Sequence, residues 1–353
     1  MENLIPTKTI KENGIVAIKN GIKPNSNKLI PIERKPTWLR IKSLNSPKYR
    51  ELKTIVSEKK LHTVCEEAMC PNIQECWSHG TATFMLLGSV CTRACKFCAV
   101  DTGNPKGLLD KEEPLKVANS ISHMDLKYAV LTSVNRDDLS DGGANHFSET
   151  VKAIKEKSPK VMIEALVPDF LGNKKSIEII IDSNLEVFAQ NLETVERLTK
   201  KVRDPRAGYD QTLDVLSYAK EYSSKIITKT SLMLGLGENE NEILTSFYDI
   251  KSAGVDVLTL GQYMRPTVNH LPVEKWYSPD EFNYFKDLAN KVGFLEVAAG
   301  PMVRSSYRAD KIAHLIGGSL PYTALGRAVT RSGNKANAIR TPSWITIKGI
   351  TPL

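Results

Sequence analysis

The sequence predicts an α/β fold, a partial (β/α)6-type TIM barrel with an extension at each end of the chain. From about residue 81, short apolar runs rich in β-forming residues alternate with amphipathic stretches long enough for helices. This alternation is typical of a parallel sheet covered by helices. At least six such units follow one another, and no dinucleotide-type glycine fingerprint follows the first strand. Both features favour a full or partial barrel over a doubly wound sheet.

The same pattern predicts the individual elements. Strands are predicted at 81–88, 127–133, 160–167, 185–190, 225–234 and 255–261, with a seventh candidate at 293–299. Helices are predicted near 113–124, 145–157, 174–182, 210–222, 240–252 and 279–291. Ser278 before Pro279, with Glu281 in the first turn, is a helix start signal. Active sites of such barrels lie where the strands end, so we expect the functional residues in the loops after the strands.

The chain has 353 residues, which divide into four predicted segments. The segments are a flexible basic arm without a core at 1–34, an N-terminal extension at 35–80, the barrel at 81–300 and a C-terminal segment at 301–353. Within the extension, Trp38 and Leu39 form an apolar anchor that we expect to dock on the barrel.

The net charge of +8 belongs to the two ends of the chain. Residues 1–60 hold 14 basic and 5 acidic side chains, and residues 311–353 hold 6 basic and no acidic ones. The ends lack repeats and regularly spaced aromatics, so we expect no nucleic-acid binding, but solvated ends or an acidic protein partner. No apolar run approaches the ~20 residues of a membrane helix. The N-terminus has no apolar core of a secretory signal. We therefore expect a cytoplasmic protein with no membrane contact.

All six cysteines lie between residues 65 and 98, which indicates metal binding rather than disulfides. Cys91, Cys95 and Cys98 have the spacing C-x3-C-x2-C. A tight loop with this spacing can wrap one 4Fe–4S cubane, with one thiolate on each of three irons and the fourth iron open. The alternative is a zinc site completed by His79 or His123, although zinc ribbons use paired C-x2-C knuckles.

The motif "CTRACKFC", placed after the first predicted strand, resembles the signature of the radical S-adenosylmethionine (SAM) superfamily. The resemblance implies that the amino and carboxylate groups of SAM bind the open iron. It also implies that one electron from the reduced cluster cleaves SAM to a 5′-deoxyadenosyl radical.

A second set, C-x4-C-x5-C, precedes the barrel and comprises Cys65, Cys70 and Cys76. Together with "LTSVNRDDLSDGGANHF", "TLGQYMRPTVNHLPVEKW" and "GPMVRSSYRAD", this set resembles the lipoyl synthase family. The resemblance implies that these cysteines hold an auxiliary 4Fe–4S cluster that is consumed as the sulfur source. It assigns the fourth ligand to Ser306 in the R-S-S-Y motif at 304–307.

The resemblance also implies an activity and partners. Two sulfur atoms would be inserted at C6 and C8 of an octanoyl-lysine, on lipoyl domains of 2-oxoacid dehydrogenase E2 subunits or on the glycine-cleavage H protein. A ferredoxin- or flavodoxin-type electron donor and an iron–sulfur carrier protein would support the reaction. The alternatives are another radical SAM sulfurtransferase, similar to biotin synthase or a methylthiotransferase, and a zinc-dependent nucleic-acid-binding protein.

Candidate SAM contacts follow the predicted strands. Asp137, Asp138 and Asp141 could accept from the amino group of SAM, with Gly142 and Gly143 allowing close backbone approach, although a loop that caps the next helix fits equally well. Other candidates are Asn191 and Glu193 for ribose or carboxylate, Phe97 for adenine, and Arg206 and Arg265 for carboxylate or a partner's acidic surface. The family leads us to expect N-H-N before the glutamate, whereas this chain has Ala189-Gln190-Asn191. Core packing is an equal alternative for Phe97, as is a solvated surface for both arginines.

Overall fold

The computed structural model describes residues 8–11, 14–21, 32–39, 47–58, 72–78, 81–307 and 309–312. They belong to one compact unit that extends to residue 317. Cys65, Cys70, His79 and the tail from residue 313 lie outside the described residues. The predicted division into four segments stays a prediction.

The strands and helices of the described residues are numbered here in chain order. The strands are β1 (Lys8–Ile10), β2 (Val16–Ile18), β3 (Thr81–Leu86), β4 (Val90–Cys91), β5 (Asp101–Gly103), β6 (Tyr128–Ser133), β7 (Met162–Leu166), β8 (Val187–Ala189), β9 (Ile227–Leu234), β10 (Val257–Gln262) and β11 (Glu296–Gly300). The helices are α1 (Pro47–Glu58), α2 (Ile73–Ser78), α3 (Glu113–His123), α4 (Ala144–Lys157), α5 (Lys174–Ile181), α6 (Thr199–Val202), α7 (Tyr209–Tyr222), α8 (Glu240–Ser252) and α9 (Pro279–Val292).

Seven strands form one parallel sheet in the order β11-β10-β9-β8-β7-β6-β3. The predicted α/β fold is confirmed, and the candidate seventh strand is present as β11, paired with β10. On one face of the sheet, Lys229 of β9 reaches Glu164 of β7 across β8, with an N–O distance of 2.7 Å. Tyr128 of β6 donates to the same carboxylate at 2.9 Å. No pairing joins β3 to β11 in the described residues, so the barrel is partial.

The helices cover the outer face of the sheet with their apolar stripes. Val151 and Ile154 of α4 and Phe247 of α8 are fully buried in the main core. Helix α9 begins as predicted: the Ser278 hydroxyl accepts from the Glu281 N–H, the Glu281 carboxylate accepts from the Ser278 N–H, and Pro279 is the first helical residue. In the described part of the chain, no helix is long and apolar enough to cross a bilayer.

The first residues differ from the expected arm without a core. Strand β2 pairs with β5, which follows the cysteine loop, and the resulting small sheet has the order β1-β2-β5-β4. Ile15 and Ala17 are buried against Val90. That prediction was wrong for residues 8–11 and 14–21. Strands β1 and β2 are only three residues long, and β5, which pairs with β2, lies about 85 residues further along the chain, so no local pattern reveals this pairing.

Two further segments pack on the barrel. Of the predicted anchor, Leu39 is buried and Trp38 is exposed. In the same segment, the Glu33 carboxylate accepts from the Trp276 indole N–H at 3.3 Å. At the other end of the chain, Ala309 packs against Tyr128 and Val130.

Replacing Ala17 with Asp should detach the N-terminal strands, because a buried unpaired carboxylate costs on the order of several kcal/mol. Limited proteolysis should then cut within residues 8–21 much faster than in the parent protein. The matched control is Val16→Asp, which places the same charge on an exposed neighbour and should leave the protease pattern unchanged. Equal protection of both variants would contradict the docking of these strands.

Candidate active site

A cavity of about 290 Å³ opens at the C-terminal ends of the barrel strands. Its walls come from strands β3, β6 and β7, from the loop after β8, and from the loop that holds three cysteines. Residues that face it are Thr83, Met85, Cys91, Arg93, Cys95, Phe97, Cys98, Thr132, Ser133, Val134, Asn135, Leu166, Val167, Asp169, Gln190, Asn191, Glu193, Arg203, Ser305 and Ser306. The expectation that the cysteine loop lies over the barrel mouth is confirmed.

The cysteine loop presents Cys91, Cys95 and Cys98 to this cavity. The Cys91 sulfur accepts from the Arg93 N–H at 3.4 Å, and the Cys95 sulfur accepts from the Asp204 N–H at 3.3 Å. Burial raises the pKa of the Cys91 thiol, and it raises the pKa to about 11 for Cys95 and about 12 for Cys98. The thiols are therefore protonated at neutral pH until a metal binds, and metal binding must release those protons.

The donor set fits a cubane. Among the described residues, no three His, Cys, Asp or Glu side chains converge on the position of a single metal ion. A cubane does not require convergence, because each thiolate binds a different iron. His123, a candidate zinc ligand, contacts the Asn119 carbonyl at the end of α3 and does not line the cavity.

A buried arginine holds the cysteine loop against the strand ends. The Arg93 guanidinium forms bidentate hydrogen bonds with Asp137 after β6 and with Asp169 after β7, at 2.6–3.2 Å. The side chain of Arg93 is only 2% exposed. Burial alone would lower the pKa of Arg93, but the two carboxylates outweigh burial and raise it, so the guanidinium stays charged. Two loops of the barrel are thereby tied to the centre of the motif.

A second clasp, formed by Asp204 and Arg206, holds the other side of the loop. The Asp204 carboxylate accepts from the Ala94 N–H at 2.9 Å and from the Arg206 side chain at 2.9 and 3.1 Å. Arg206 also donates to the Thr92 carbonyl at 2.7 Å. Burial would raise the pKa of Asp204, but these hydrogen bonds outweigh it and lower the pKa to about 2. The Asp204 N–H that faces Cys95 is held in place by this clasp.

The loop after β10 completes the support. His270 Nε2 lies 3.0 Å from the Cys98 carbonyl, and the Leu271 N–H donates to the Lys96 carbonyl at 3.3 Å. Burial lowers the pKa of His270. A neutral imidazole with an Nε2 hydrogen therefore donates to Cys98.

The segments just before and just after the barrel, residues 72–78 and 302–307, meet beside the cavity. Ser305 and Ser306 line it, and the neighbouring Tyr307 hydroxyl donates to the Glu75 carboxylate of α2 at 3.1 Å. The Asn72 side chain, just before α2, donates to the Met302 carbonyl at 2.5 Å. Helix α2 carries Cys76, whose side chain is buried. The R-S-S-Y segment and the helix that carries Cys76 are thus joined on both sides.

Known proteins match this chain closely. A family model described as the Radical SAM superfamily matches residues 85–248. The lipoyl synthase of Marinobacter nauticus is 57% identical over 303 residues, which cover 85% of this chain and 87% of that protein. The lipoyl synthase of Thermus thermophilus is 56% identical over 313 residues, covering 88% of this chain and 96% of that protein. The chain belongs to the lipoyl synthase family.

Among solved structures, methylornithine synthase aligns with a TM-score of 0.46 at 13% identity, over 71% of this chain and 81% of that one. This weak likeness adds nothing to the assignment. Membership in the radical SAM superfamily implies a 4Fe–4S cluster and SAM. Cys91, Cys95 and Cys98 carry the superfamily spacing and face the cavity, so they are the residues that fit this cluster.

The SAM contacts predicted in the loop after β6 lie away from the cavity lining. Asp137 pairs with Arg93 and Arg206, and Asp138 pairs with Arg136. Asp141 accepts from the N–H groups of Gly143 and Asn145 at the start of α4, the capping alternative stated above. A Cβ at Gly142 would meet the Phe170 ring at 2.9 Å, so close packing explains this glycine. The structure does not bring Asp137, Asp141 or Gly142 to the cavity.

Other predicted contacts do reach the cavity. Phe97, Asn191 and Glu193 line it, and the Asn191 amide donates to the Glu193 carboxylate at 3.2 Å. Burial raises the pKa of Glu193. Gln190, the departure from the expected N-H-N, is 3% exposed and lines the same wall. Its Oε1 has no partner among the described residues, as expected of a polar group that receives a hydrogen bond from a ligand.

Several supporting residues were missed by the sequence analysis. Arg93, Asp169, Asp204 and His270 all contact the cysteine loop or its partners, and Arg206 was assigned to SAM or a protein surface. Only Arg93 could have been found locally, since it lies inside the motif. The others come from loops between 76 and 172 residues away from their partners. Arg265 donates to the His270 carbonyl at 2.9 Å and so stabilises the loop after β10.

Replacing Arg206 with Ala should weaken iron binding by the cysteine loop about 10–100-fold, as is typical when the support of metal ligands is removed. The change removes the hydrogen bond to Thr92 and both carboxylate contacts. The measurement is iron loss from the reconstituted protein to a chelator. Arg197→Ala is the control, because it removes a surface pair with Glu242 far from the loop, and it should match the parent protein. Equal iron retention in both variants would contradict the clasp.

Proposed function

We propose that this protein is a sulfurtransferase that inserts two sulfur atoms at C6 and C8 of a protein-bound octanoyl-lysine. Cys91, Cys95 and Cys98 hold the radical cluster. Cys65, Cys70, Cys76 and Ser306 hold an auxiliary 4Fe–4S cluster that donates the sulfur. The substrates are octanoylated lipoyl domains of 2-oxoacid dehydrogenase E2 subunits and the glycine-cleavage H protein, in the cytoplasm.

One observation carries the proposal. Ser305 and Ser306 line the same cavity as the three radical-cluster cysteines, although more than 200 residues separate them in the chain. The segment is fastened on both sides to the helix of Cys76, through Met302–Asn72 and Tyr307–Glu75. A sulfur donor held between Cys76 and Ser306 is therefore expected beside the place where the radical forms. A short path is what the chemistry needs, because a carbon radical must meet sulfide before it meets another hydrogen donor.

When bound, the radical cluster and SAM supply the 5′-deoxyadenosyl radical, and the auxiliary cluster supplies sulfide. The residues of this chain orient and shield these groups. Met85, Val134, Leu166 and Val167 give the cavity an apolar wall that excludes water. A serine oxygen holds iron less firmly than a cysteine thiolate, so Ser306 suits a cluster that must be dismantled. Replacement of both hydrogens requires two molecules of SAM and two electrons.

Two features indicate the partners: the basic charge of the terminal segments, and the need to rebuild an auxiliary cluster that the reaction consumes. The basic segments 1–60 and 311–353 are suited to docking an acidic lipoyl domain through long-range attraction. A ferredoxin- or flavodoxin-type protein supplies the electrons, and an iron–sulfur carrier protein rebuilds the auxiliary cluster.

The direct test is incubation of the reconstituted protein with SAM, a reductant and an octanoyl-lysine peptide, followed by mass analysis. The expected product has gained two sulfur atoms, with two 5′-deoxyadenosines formed for each peptide. SAM cleavage without any sulfur in the peptide would contradict the proposal. A peptide that carries a hexanoyl group is the control, because it lacks C8 and should not form the product with two sulfur atoms.

Iron content separates the two clusters. The parent protein should bind about eight irons, and Cys76→Ala and Ser306→Ala should each lose up to about four while retaining SAM cleavage. Ser305→Ala is the matched control for Ser306, since both serines face the cavity, and it should keep all of the iron. Loss of iron in the Ser305 variant instead of the Ser306 variant would assign the ligand to Ser305. Full iron and activity in both would exclude a serine ligand.

A further inference from the structure

A glycine on strand β10 lies directly beneath the R-S-S-Y segment. A Cβ built at Gly261 would lie 2.1 Å from the Val303 carbonyl oxygen and 3.1 Å from its carbon. Real Cβ contacts are essentially never shorter than 3.0 Å. The backbone of Gly261 is not in the left-handed region, so the glycine is required here by close approach rather than by its own conformation.

The segment above Gly261 is a compact turn whose backbone is held by several hydrogen bonds. The Val303 N–H donates to the Gly300 carbonyl at 3.0 Å, and the Tyr307 N–H donates to the Arg304 carbonyl at 2.9 Å. The Arg304 guanidinium donates to the Gln262 carbonyl on β10 at 3.3 Å and to the Val303 carbonyl at 2.8 Å. The backbone of the turn therefore lies directly against the end of β10, at Gly261 and Gln262.

We infer that Gly261 is a positioning residue for Ser306. Its missing side chain lets the turn at 303–307 lie on β10, which brings the serines to the cavity and the Tyr307 hydroxyl to Glu75. The inference rests on the proposed function, in which Ser306 is an iron ligand. Metal–ligand distances tolerate changes of only about 0.2 Å. A shift of the turn large enough to admit a Cβ at residue 261 would therefore remove the serine from the auxiliary cluster.

The neighbouring strand supplies a matched control. Gly300 of β11 pairs with Gly261 in the parallel register, and it also lies beneath Val303. A Cβ at Gly300 would meet only the Val303 Cγ2 atom, at 3.4 Å, which is close to ordinary van der Waals contact. The two glycines share strand position and neighbour and differ in whether an added methyl group strikes the backbone of the turn.

The test compares Gly261→Ala and Gly300→Ala after anaerobic reconstitution. The measurements are iron per chain, Mössbauer spectra of the bound iron, and 5′-deoxyadenosine formed from SAM. Gly261→Ala should lose up to about half of the iron and the ability to insert sulfur, and it should keep SAM cleavage. Gly300→Ala should match the parent protein in all three measurements. Full iron and sulfur insertion in Gly261→Ala would overturn the inference, as would equal losses in both variants.

A second variant decides the matter if Gly261→Ala does not fold, as judged by circular dichroism. Arg304→Met removes the hydrogen bond that holds the same turn on Gln262, and it introduces no clash. It should lose auxiliary iron and keep SAM cleavage, and unchanged iron would overturn the inference. The parent protein distinguishes this failure from that of the proposed function. Iron for only one cluster in the parent contradicts the proposed function, whereas two clusters in the parent and in both variants contradict only the role of Gly261.

Discussion

The guanidinium of Arg93, buried between the carboxylates of Asp137 and Asp169, fixes the loop on which the site depends. A buried charge is tolerated only when it is paired and hydrogen-bonded, and removal of one partner typically costs about 3–5 kcal/mol. The two carboxylates follow β6 and β7, so the ion pairs tie the cysteine loop to the ends of these two neighbouring strands. The thiols of Cys91 and Cys95 keep their positions because the backbone between them cannot move independently of the barrel.

On the proposed function, the site draws on segments from both sides of the barrel. The barrel alone presents the radical-cluster cysteines, which the superfamily shares, whereas Cys76 arrives from before the barrel and Ser306 from after it. Hydrogen bonds from Asn72 and Tyr307 join these two elements next to the cavity. On the proposed function, radical formation and sulfur donation therefore share one cavity, whose wall is apolar near Met85 and Leu166.

Features that depend on local sequence patterns could be predicted from the sequence. All seven parallel strands were predicted, because each βα unit shows its period within about 30 residues, and the cysteine spacing is local as well. The small N-terminal sheet was missed, because β2 pairs with β5 far along the chain. Asp137 and Asp141 were assigned to SAM because the sequence showed their place in a loop but not their partners. In the structure, Asp137 pairs with Arg93, and Asp141 accepts hydrogen bonds at the start of a helix. The hydrogen bond between Ala94 and Asp204 joins residues far apart in the chain, so it forms only when the barrel brings their loops together.

On the proposed function, the sulfur comes from a cluster held beside the radical site by the segments of Cys76 and Ser306, on either side of the barrel. The most direct measurement is a single turnover of protein whose clusters were assembled with isotopically heavy sulfide, in buffer that contains ordinary sulfide. If the cluster donates the sulfur, both sulfur atoms in the octanoyl product carry the heavy isotope, and the protein then needs a new auxiliary cluster. A product whose sulfur atoms carry the ordinary isotope would contradict donation by the cluster.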